Sequence, residues 1–203
     1  MERLDKLDFS KNGINVYWFD NNENQVFRKA FVHIDTMRKY IEQTPDDQYY
    51  KLVLECSTAG DARFSAFGAK VKAFGIKSNI EFHYQFAKGF EGLEKPKITD
   101  TWEKKMNYIK SIKGKPFDYF DLNGKKLDSE LIFQWYHLLW INYLDNNPEL
   151  VEYLRLFDDY NDVFKGKSKA CQADSIRKYI KDGRESLLEE CQELNSKFKN
   201  PIK

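Results

Sequence analysis

Hydrophobic residues, many of them β-branched or aromatic, dominate Ile14 to Asp20 and recur from Gln25 to Ile34, and the run Asp20-Asn21-Asn22-Glu23-Asn24 between them is rich in turn formers, which predicts a β-hairpin. In its second arm Val26, Ala30, Val32 and Ile34 alternate with Phe27, Lys29, Phe31 and His33, the pattern of a half-buried strand. Asp35 or Thr36 is placed to cap a short helix carrying Met37, Tyr40 and Ile41 that stops before Pro45. Further strands are expected over Leu52 to Glu55 and over Lys70 to Phe74, the second ended by Gly75. From Ser78 the period changes to that of a helix, and Asn123-Gly124 marks another hairpin. Leu131, Ile132, Trp135, Leu138 and Leu139 recur at helical spacing, Asn147-Pro148 opens a further helix, and Ile176, Tyr179, Ile180, Leu187, Leu188, Cys191 and Leu194 form a C-terminal stripe that Gly183 bends or splits. The expectation is one α+β domain over residues 1–203, strand-rich to about residue 75 and mainly helical from about 76.

Composition narrows the classes available. With 203 residues, 41% hydrophobic and 32% charged, there is apolar material for a core, and 33 Lys+Arg against 32 Asp+Glu leave a net charge of +1. That balance argues against a protein that coats nucleic acid, though it permits a local basic groove. Aromatic residues reach 16%, and these either thicken the core or stack on planar ligands. The three cysteines, Cys56, Cys171 and Cys191, show no CxxC pairing, the start of the chain has no apolar leader, and no apolar run is long enough to cross a bilayer, so a reducing, cytoplasmic location off the membrane is expected. His33, His83 and His137 show no metal-type spacing with the cysteines. No metal and no cofactor are expected. Neither G-x-x-x-x-G-K-[ST] nor G-x-G-x-x-G occurs, which disfavours an ordinary ATPase or dinucleotide dehydrogenase.

The most informative stretch is Arg63-Phe64-Ser65-Ala66-Phe67 followed by the segment from Ser78 to Lys88. On a helix Glu81, Gln85 and Lys88 share a stripe with Tyr84 beside it, while Phe82, His83, Phe86 and Phe90 take the other side. Such a stripe either builds a site or faces water. A plain alternative for Glu81 is a capping box with Ser78 as cap, and His83 reads as a core histidine. Asp158-Asp159-Tyr160-Asn161-Asp162 does not fit a calcium loop and reads as a helix-terminating acidic turn, or, if it lines a site, as the source of a second carboxylate. Cys56 to Asp61 reads as a loop, with no histidine in register to make Cys56 a nucleophile.

Phe64, Ser65 and Phe67, then Ser78, Glu81, Tyr84, Gln85 and Lys88, with His83 just before Tyr84, resemble the signature of the NADAR superfamily. Phe82 intervenes between Glu81 and His83, and residues 162–168 replace that family's glycine- and tryptophan-rich loop. Asn147 to Leu150 and Asp158 to Gly166 are similar to its later helix and acidic turn. The resemblance implies a NADAR-like fold and an N-glycosidase that cleaves ribosyl–base or ADP-ribosyl-type bonds of a nucleotide or modified nucleic acid. It also implies roles: Glu81 as the catalytic carboxylate with Asp159 or Asp162 as a second, Lys88 and Arg63 for phosphate, Gln85 for ribose hydroxyls, and Ser65 in the binding loop. Tyr84, Trp102 or Trp135 would stack on the base, and Asn161, Lys165, Ser168 and Gln172 would line the nucleotide pocket. The rival from another class is a non-catalytic nucleotide- or nucleic-acid-binding accessory protein of a phage or mobile element. Oligomeric state is left open.

Overall fold

The computed structural model describes residues 1–30, 33–162 and 171–198. Phe31 and Val32 of the expected second strand, and Lys165 and Ser168 of the expected pocket lining, lie outside the described residues. A short helix, α1 (Glu2–Asp5), precedes the expected hairpin, β1 (Ile14–Asp20) and β2 (Gln25–Ala30). The strands pair antiparallel, and a register shift between Trp18 and Phe19 bends β1. Helix α2 spans Ile34–Glu42 and is capped by His33, whose ring nitrogen accepts from the Asp35 N–H at 3.3 Å. Neither Asp35 nor Thr36 is the cap; both lie inside the first turn.

Strand β3 (Gln48–Glu55) extends further back than its apolar residues suggest, because Gln48, Tyr49, Tyr50 and Lys51 all find partners on β1. Its other edge is taken by β9 (Asp159–Asn161), which pairs parallel to it, so the sheet order is β2-β1-β3-β9. The acidic stretch is therefore a strand, not a turn that merely ends a helix. Asp158 fixes its entry: its N–H donates to the Leu52 carbonyl at 2.8 Å, and its carboxylate accepts from the Leu52 N–H at 2.7 Å and from Arg3 at 2.6 Å.

A second hairpin, β4 (Lys70–Ala73) and β5 (Ile76–Asn79), turns through Phe74 and Gly75, both at positive φ. Ser78 belongs to β5, and helix α3 (Ile80–Phe86) begins after Asn79, whose side chain accepts from the Phe82 N–H at 2.8 Å. Asn79 thus does the work expected of Ser78, and Glu81 is not the partner of a Ser78 capping box. The two-residue strand β6 (Lys88–Gly89) follows, then α4 (Trp102–Ile112) and the Asn123-Gly124 hairpin of β7 (Tyr119–Leu122) and β8 (Lys125–Leu127), with Asn123 and Gly124 at φ 54° and 82°.

Helix α5 (Leu131–Asp145) is apolar on nearly every side because neighbours surround it: α3, β4, α6 (Pro148–Leu154), α7 (Gln172–Arg177), α8 (Arg184–Glu190) and α9 (Gln192–Lys197) all pack on it. Its Trp135 and Trp140 are among the largest fully buried side chains, in one core cluster with Val16, Leu52 and Leu54 of the sheet. The C-terminal stripe breaks, as expected, at Gly183, which sits at φ 97° after a turn of π-helix. A smaller cluster of Phe82, Phe86, Phe90, Tyr108 and Ile112 joins α3 to α4. Among the described residues, one mixed sheet and two antiparallel ones with helices gathered around α5 make this an α+β fold. No described helix is long and apolar enough to cross a membrane.

His83 is buried, and burial lowers its pKa to about 4, against an opposing backbone hydrogen bond at Val71. Between the unfolded value of 6.5 and about 4, the unfolded chain binds the extra proton and the folded one does not, so stability falls as pH drops through that window. The expected loss is about 3 kcal/mol. Denaturant titrations at neutral pH and near the lower bound check it: His83→Gln should lose clearly less stability on acidification than the parent, and equal losses would remove His83 from the account.

Candidate functional site

Helix α3 presents two unlike faces because its residues are buried unevenly. Ile80, Phe82, His83 and Phe86 point into the protein, whereas Glu81, Tyr84 and Gln85 are half-buried. The helix start is clamped by the preceding loop, with Ile80 N–H donating to the Ala69 carbonyl at 3.0 Å and Glu81 N–H to the Ala66 carbonyl at 2.9 Å. Gln85 Nε2 donates to Glu81 Oε1 at 2.7 Å, which holds the carboxylate along the helix surface. Lys88, just beyond the helix, lays its ammonium over the Tyr84 ring at 4.5 Å and near Phe117 at 5.6 Å.

The far wall comes from α5, α7 and the ends of two strands. Tyr136 meets Tyr84 edge-on at 5.1 Å between centroids, and its hydroxyl donates to Gln172 Oε1 at 3.4 Å. Gln172 Nε2 in turn donates to the carbonyl of Cys56, the residue that follows β3, at 2.5 Å. Asp162, immediately after β9, is buried and accepts from the Cys171 thiol at 2.7 Å. The parallel pairing of β3 with β9 is what delivers Cys56 and Asp162 to the same end of the sheet, facing α7.

The titratable groups respond to one another. Burial, and then the Glu81 charge, push the Tyr84 hydroxyl up to about 12. Burial lowers the Lys88 pKa while Glu81 pulls it back. Tyr136 is raised first by burial, and the charges of Glu81, Cys171 and Asp162 add to the rise against an opposing hydrogen bond with Trp140. Burial and the Asp162 hydrogen bond push the Cys171 thiol up to about 11, so it stays protonated and donates. Tyr136 therefore stands within electrostatic reach of both carboxylates, Glu81 from α3 and Asp162 from the strand end. Such a pair, lined by a lysine, an amide and two phenols, has the donor set to bind a sugar and stabilise positive charge upon it.

Glu81, Tyr84, Gln85, Lys88, Asp162 and Gln172 are thus gathered around Tyr136. Others are placed elsewhere. Arg63 is bound by the buried Asp61, Nη2 to Oδ2 at 2.6 Å, and lies over the Tyr153 ring at 4.5 Å; its neighbours Asp8, Asp61, Phe64 and Tyr153 are not on α3. Ser65 is buried, its hydroxyl accepting from the Phe67 N–H at 3.3 Å, so it shapes the clamp loop. Trp102 stacks on Phe82 at 4.6 Å, on the side of α3 away from Glu81. Trp135 is 1% exposed and donates its indole N–H to the His83 carbonyl at 3.3 Å, so burial excludes the stacking expected of it. Asp159 is paired with Arg177 at 2.9 Å; burial opposes ionisation there, and the Arg177 hydrogen bond and the Tyr160 N–H outweigh it and lower the pKa. Asn161 donates to Glu55 at 3.0 Å. Tyr136 and Cys171, which the structure adds to the candidate site, carry no local signal, because Tyr136 lies in an apolar helix and Cys171 beside no recognisable motif.

Gly68 shows how tightly the clamp loop is folded. A Cβ there would meet the Ala62 carbonyl oxygen at 1.9 Å, and that oxygen is backbone. Gly68→Ala is expected to cost about 1–3 kcal/mol and to loosen the Ala66 to Glu81 bond. Thermal melting reads the first effect, and an unchanged melting temperature would show that the loop yields freely.

Comparison with curated proteins and with solved structures gave no match. Residues 28–203 match the family described as the DarT1-associated NADAR antitoxin, a span that takes in every residue around Tyr136 and strands β3 and β9 of the sheet, and the chain belongs to that family.

Proposed function

We propose that the chain hydrolyses the N-glycosidic bond between a ribose and a base in ADP-ribosyl-type adducts, and that removing such adducts is how it acts as an antitoxin. The observation that carries this reading is the position of Glu81: it is half-buried, steered by Gln85, and within electrostatic reach of Lys88, Tyr84 and Tyr136. In the reaction the bond from ribose C1 to the base nitrogen breaks with its electron pair leaving on the base, which takes up a proton from solvent, matched by the one Glu81 later returns to solvent. The cationic sugar is stabilised by the Glu81 carboxylate, water adds to C1, and the carboxylate accepts the proton the water gives up. Lys88 supplies the charge for a phosphate, and Tyr84 and Tyr136 give aromatic surface beside the sugar. Asp162, kept dry and hydrogen-bonded to the Cys171 thiol, is the second carboxylate. The assay is incubation of the purified protein with ADP-ribosylated guanine, NAD and free nucleosides, followed by mass spectrometry. Release of base from the adduct is the expected result, and no release from any of them would leave a binding role in place of catalysis.

A further inference from the structure

The sheet has a second face that the site does not use. Opposite the core-facing Val16, Trp18, Leu52 and Leu54, strand β1 carries Tyr17 and Phe19, β2 carries Arg28, and β3 carries Tyr49 and Lys51. Phe19 and Tyr49 are cross-strand partners whose rings stack at 5.6 Å, and Tyr17 stands between its own partners, Arg28 and Lys51. Every ring in this patch carries a cation: Lys51 lies 5.0 Å from the Phe19 centroid and 5.7 Å from that of Tyr49, and Arg28 lies 5.2 Å from that of Tyr17. Among the described residues neither Lys51 nor Arg28 forms an ion pair, although Arg28 bonds the Asn15 amide oxygen at 2.9 Å. Of the acids on this face, Asp159 is paired with Arg177 at 2.9 Å, and Glu55 accepts from the Asn161 amide at 3.0 Å through Oε2 while its Oε1 is buried without a partner. Tyr17, Phe19, Gln25, Lys51, Asp159 and Asn161 enclose a cleft of about 220 Å³.

We propose that this face is a platform for single-stranded nucleic acid, which the protein holds while the base to be freed lies near Glu81. Flat rings alternating with unpaired cations suit a chain in which planar bases alternate with phosphates: bases stack on Tyr17 and Phe19, and Lys51 and Arg28 swing from the rings to the phosphates. Tyr17 and Phe19 are about 7 Å apart along β1, the reach of one extended nucleotide. An acidic peptide would use the cations but leave the rings idle. Continuity also favours a strand, since from Lys51 the chain runs along β3 to Cys56 just past its end, about 17 Å of extended chain, and meets the Gln172 wall of the site. The idea rests on the glycosidase reading only in supposing that the bound strand bears the adduct.

The test is fluorescence anisotropy with labelled mixed-sequence single strands of about 12 nucleotides, one DNA and one RNA, over a salt series. The parent protein should bind with a salt-dependent affinity, and the stronger of the two probes names the source. Tyr17→Ala with Phe19→Ala, and separately Lys51→Glu, should weaken binding about tenfold or more. The same variants should release base from a free ADP-ribosylated nucleoside at the parent's rate and lose kcat/KM on an adduct carried in a strand. Circular dichroism melts confirm folding, and because the aromatic and the charge variants act separately, misfolding of one leaves the other decisive. A parent protein that binds neither probe, or variants that bind as tightly as the parent, would overturn the platform. Glu81→Gln separates the two ideas: it should keep full strand affinity, so loss of base release with retained anisotropy supports both, whereas retained release sinks the glycosidase reading alone.

Discussion

Replacing Glu81 by Gln is expected to lower base release from an ADP-ribosylated nucleoside about a thousandfold, equivalent to roughly 4 kcal/mol of transition-state stabilisation, with substrate affinity within a few-fold of the parent. The substitution keeps the shape of the side chain and an oxygen that can still accept from Gln85, which donates to Glu81 Oε1 at 2.7 Å. On the proposed mechanism, what disappears is the negative charge that would meet the cationic sugar and take the proton of the attacking water. The helix should survive, because its first turn is capped by Asn79 and its amide bond to Ala66 is made by backbone. Single-turnover kinetics separate the chemical step from binding, and isothermal titration of the adduct reads affinity. A binding-only antitoxin behaves differently: it shows no turnover in the parent, and its affinity falls when Lys88 becomes Ala while Glu81→Gln changes little. A parent that turns over and a Glu81→Gln variant within tenfold of it would remove Glu81 from catalysis.

Glu81 could be singled out because the relevant signal is local. The periodicity from Ile80 to Lys88 places Glu81 beside Gln85 and separates both from Phe82 and Phe86, and a helix preserves that separation wherever it packs. The same holds for the β1–β2 hairpin, for the Asn123-Gly124 turn and for the break at Gly183, where neighbouring residues contain the whole instruction. Two elements escaped for the opposite reason. Strand β9 is three residues long and polar at both ends, and it exists because Asp158 is gripped by Leu52 and Arg3, residues more than a hundred positions away. Strand β5 reads Ile-Lys-Ser-Asn, with low intrinsic preference for extended structure, and is folded back onto β4 by the Phe74-Gly75 turn. Because β5 extends to Asn79, the helix cap is Asn79 and not Ser78, and that one-residue difference separates Glu81 from a capping role. The wall opposite α3 depends on β9 as well, since its pairing with β3 brings Asp162 and Cys171 toward Tyr136. Arg63 and Trp135 illustrate the limit of residue type as evidence. A guanidinium can hold phosphate and an indole can stack on a base, but here the buried Asp61 has taken the first and the core has taken the second.

Trp135→Ala is expected to cost about 3–5 kcal/mol of folding free energy, a large share of the 5–15 kcal/mol typical of a domain. The side chain is fully buried against Phe74, with ring centroids 5.9 Å apart, and its removal leaves a cavity between α5 and the β4–β5 hairpin that the surrounding helices cannot close. Trp135→Phe isolates a second contribution. It retains most of the packing but removes the indole N–H, leaving the His83 carbonyl without that donor at a cost of about 1–2 kcal/mol. This bond joins α5 to the residue immediately before Tyr84, so it also fixes the rotation of α3 that sets Tyr84 edge-on against Tyr136 and carries Glu81 on the same helix. If Glu81 acts as proposed, Trp135→Phe should therefore remain folded at moderate temperature and still lose about tenfold in kcat, because a small misplacement of a reacting carboxylate is costly. Denaturant titration measures the stability of both variants, and turnover normalised to the folded fraction measures the second effect. If Trp135→Phe lost activity only in proportion to unfolded protein, the tryptophan would be a core residue and nothing more, and the alignment of α3 would have to come from the Ala66 and Ala69 carbonyls alone.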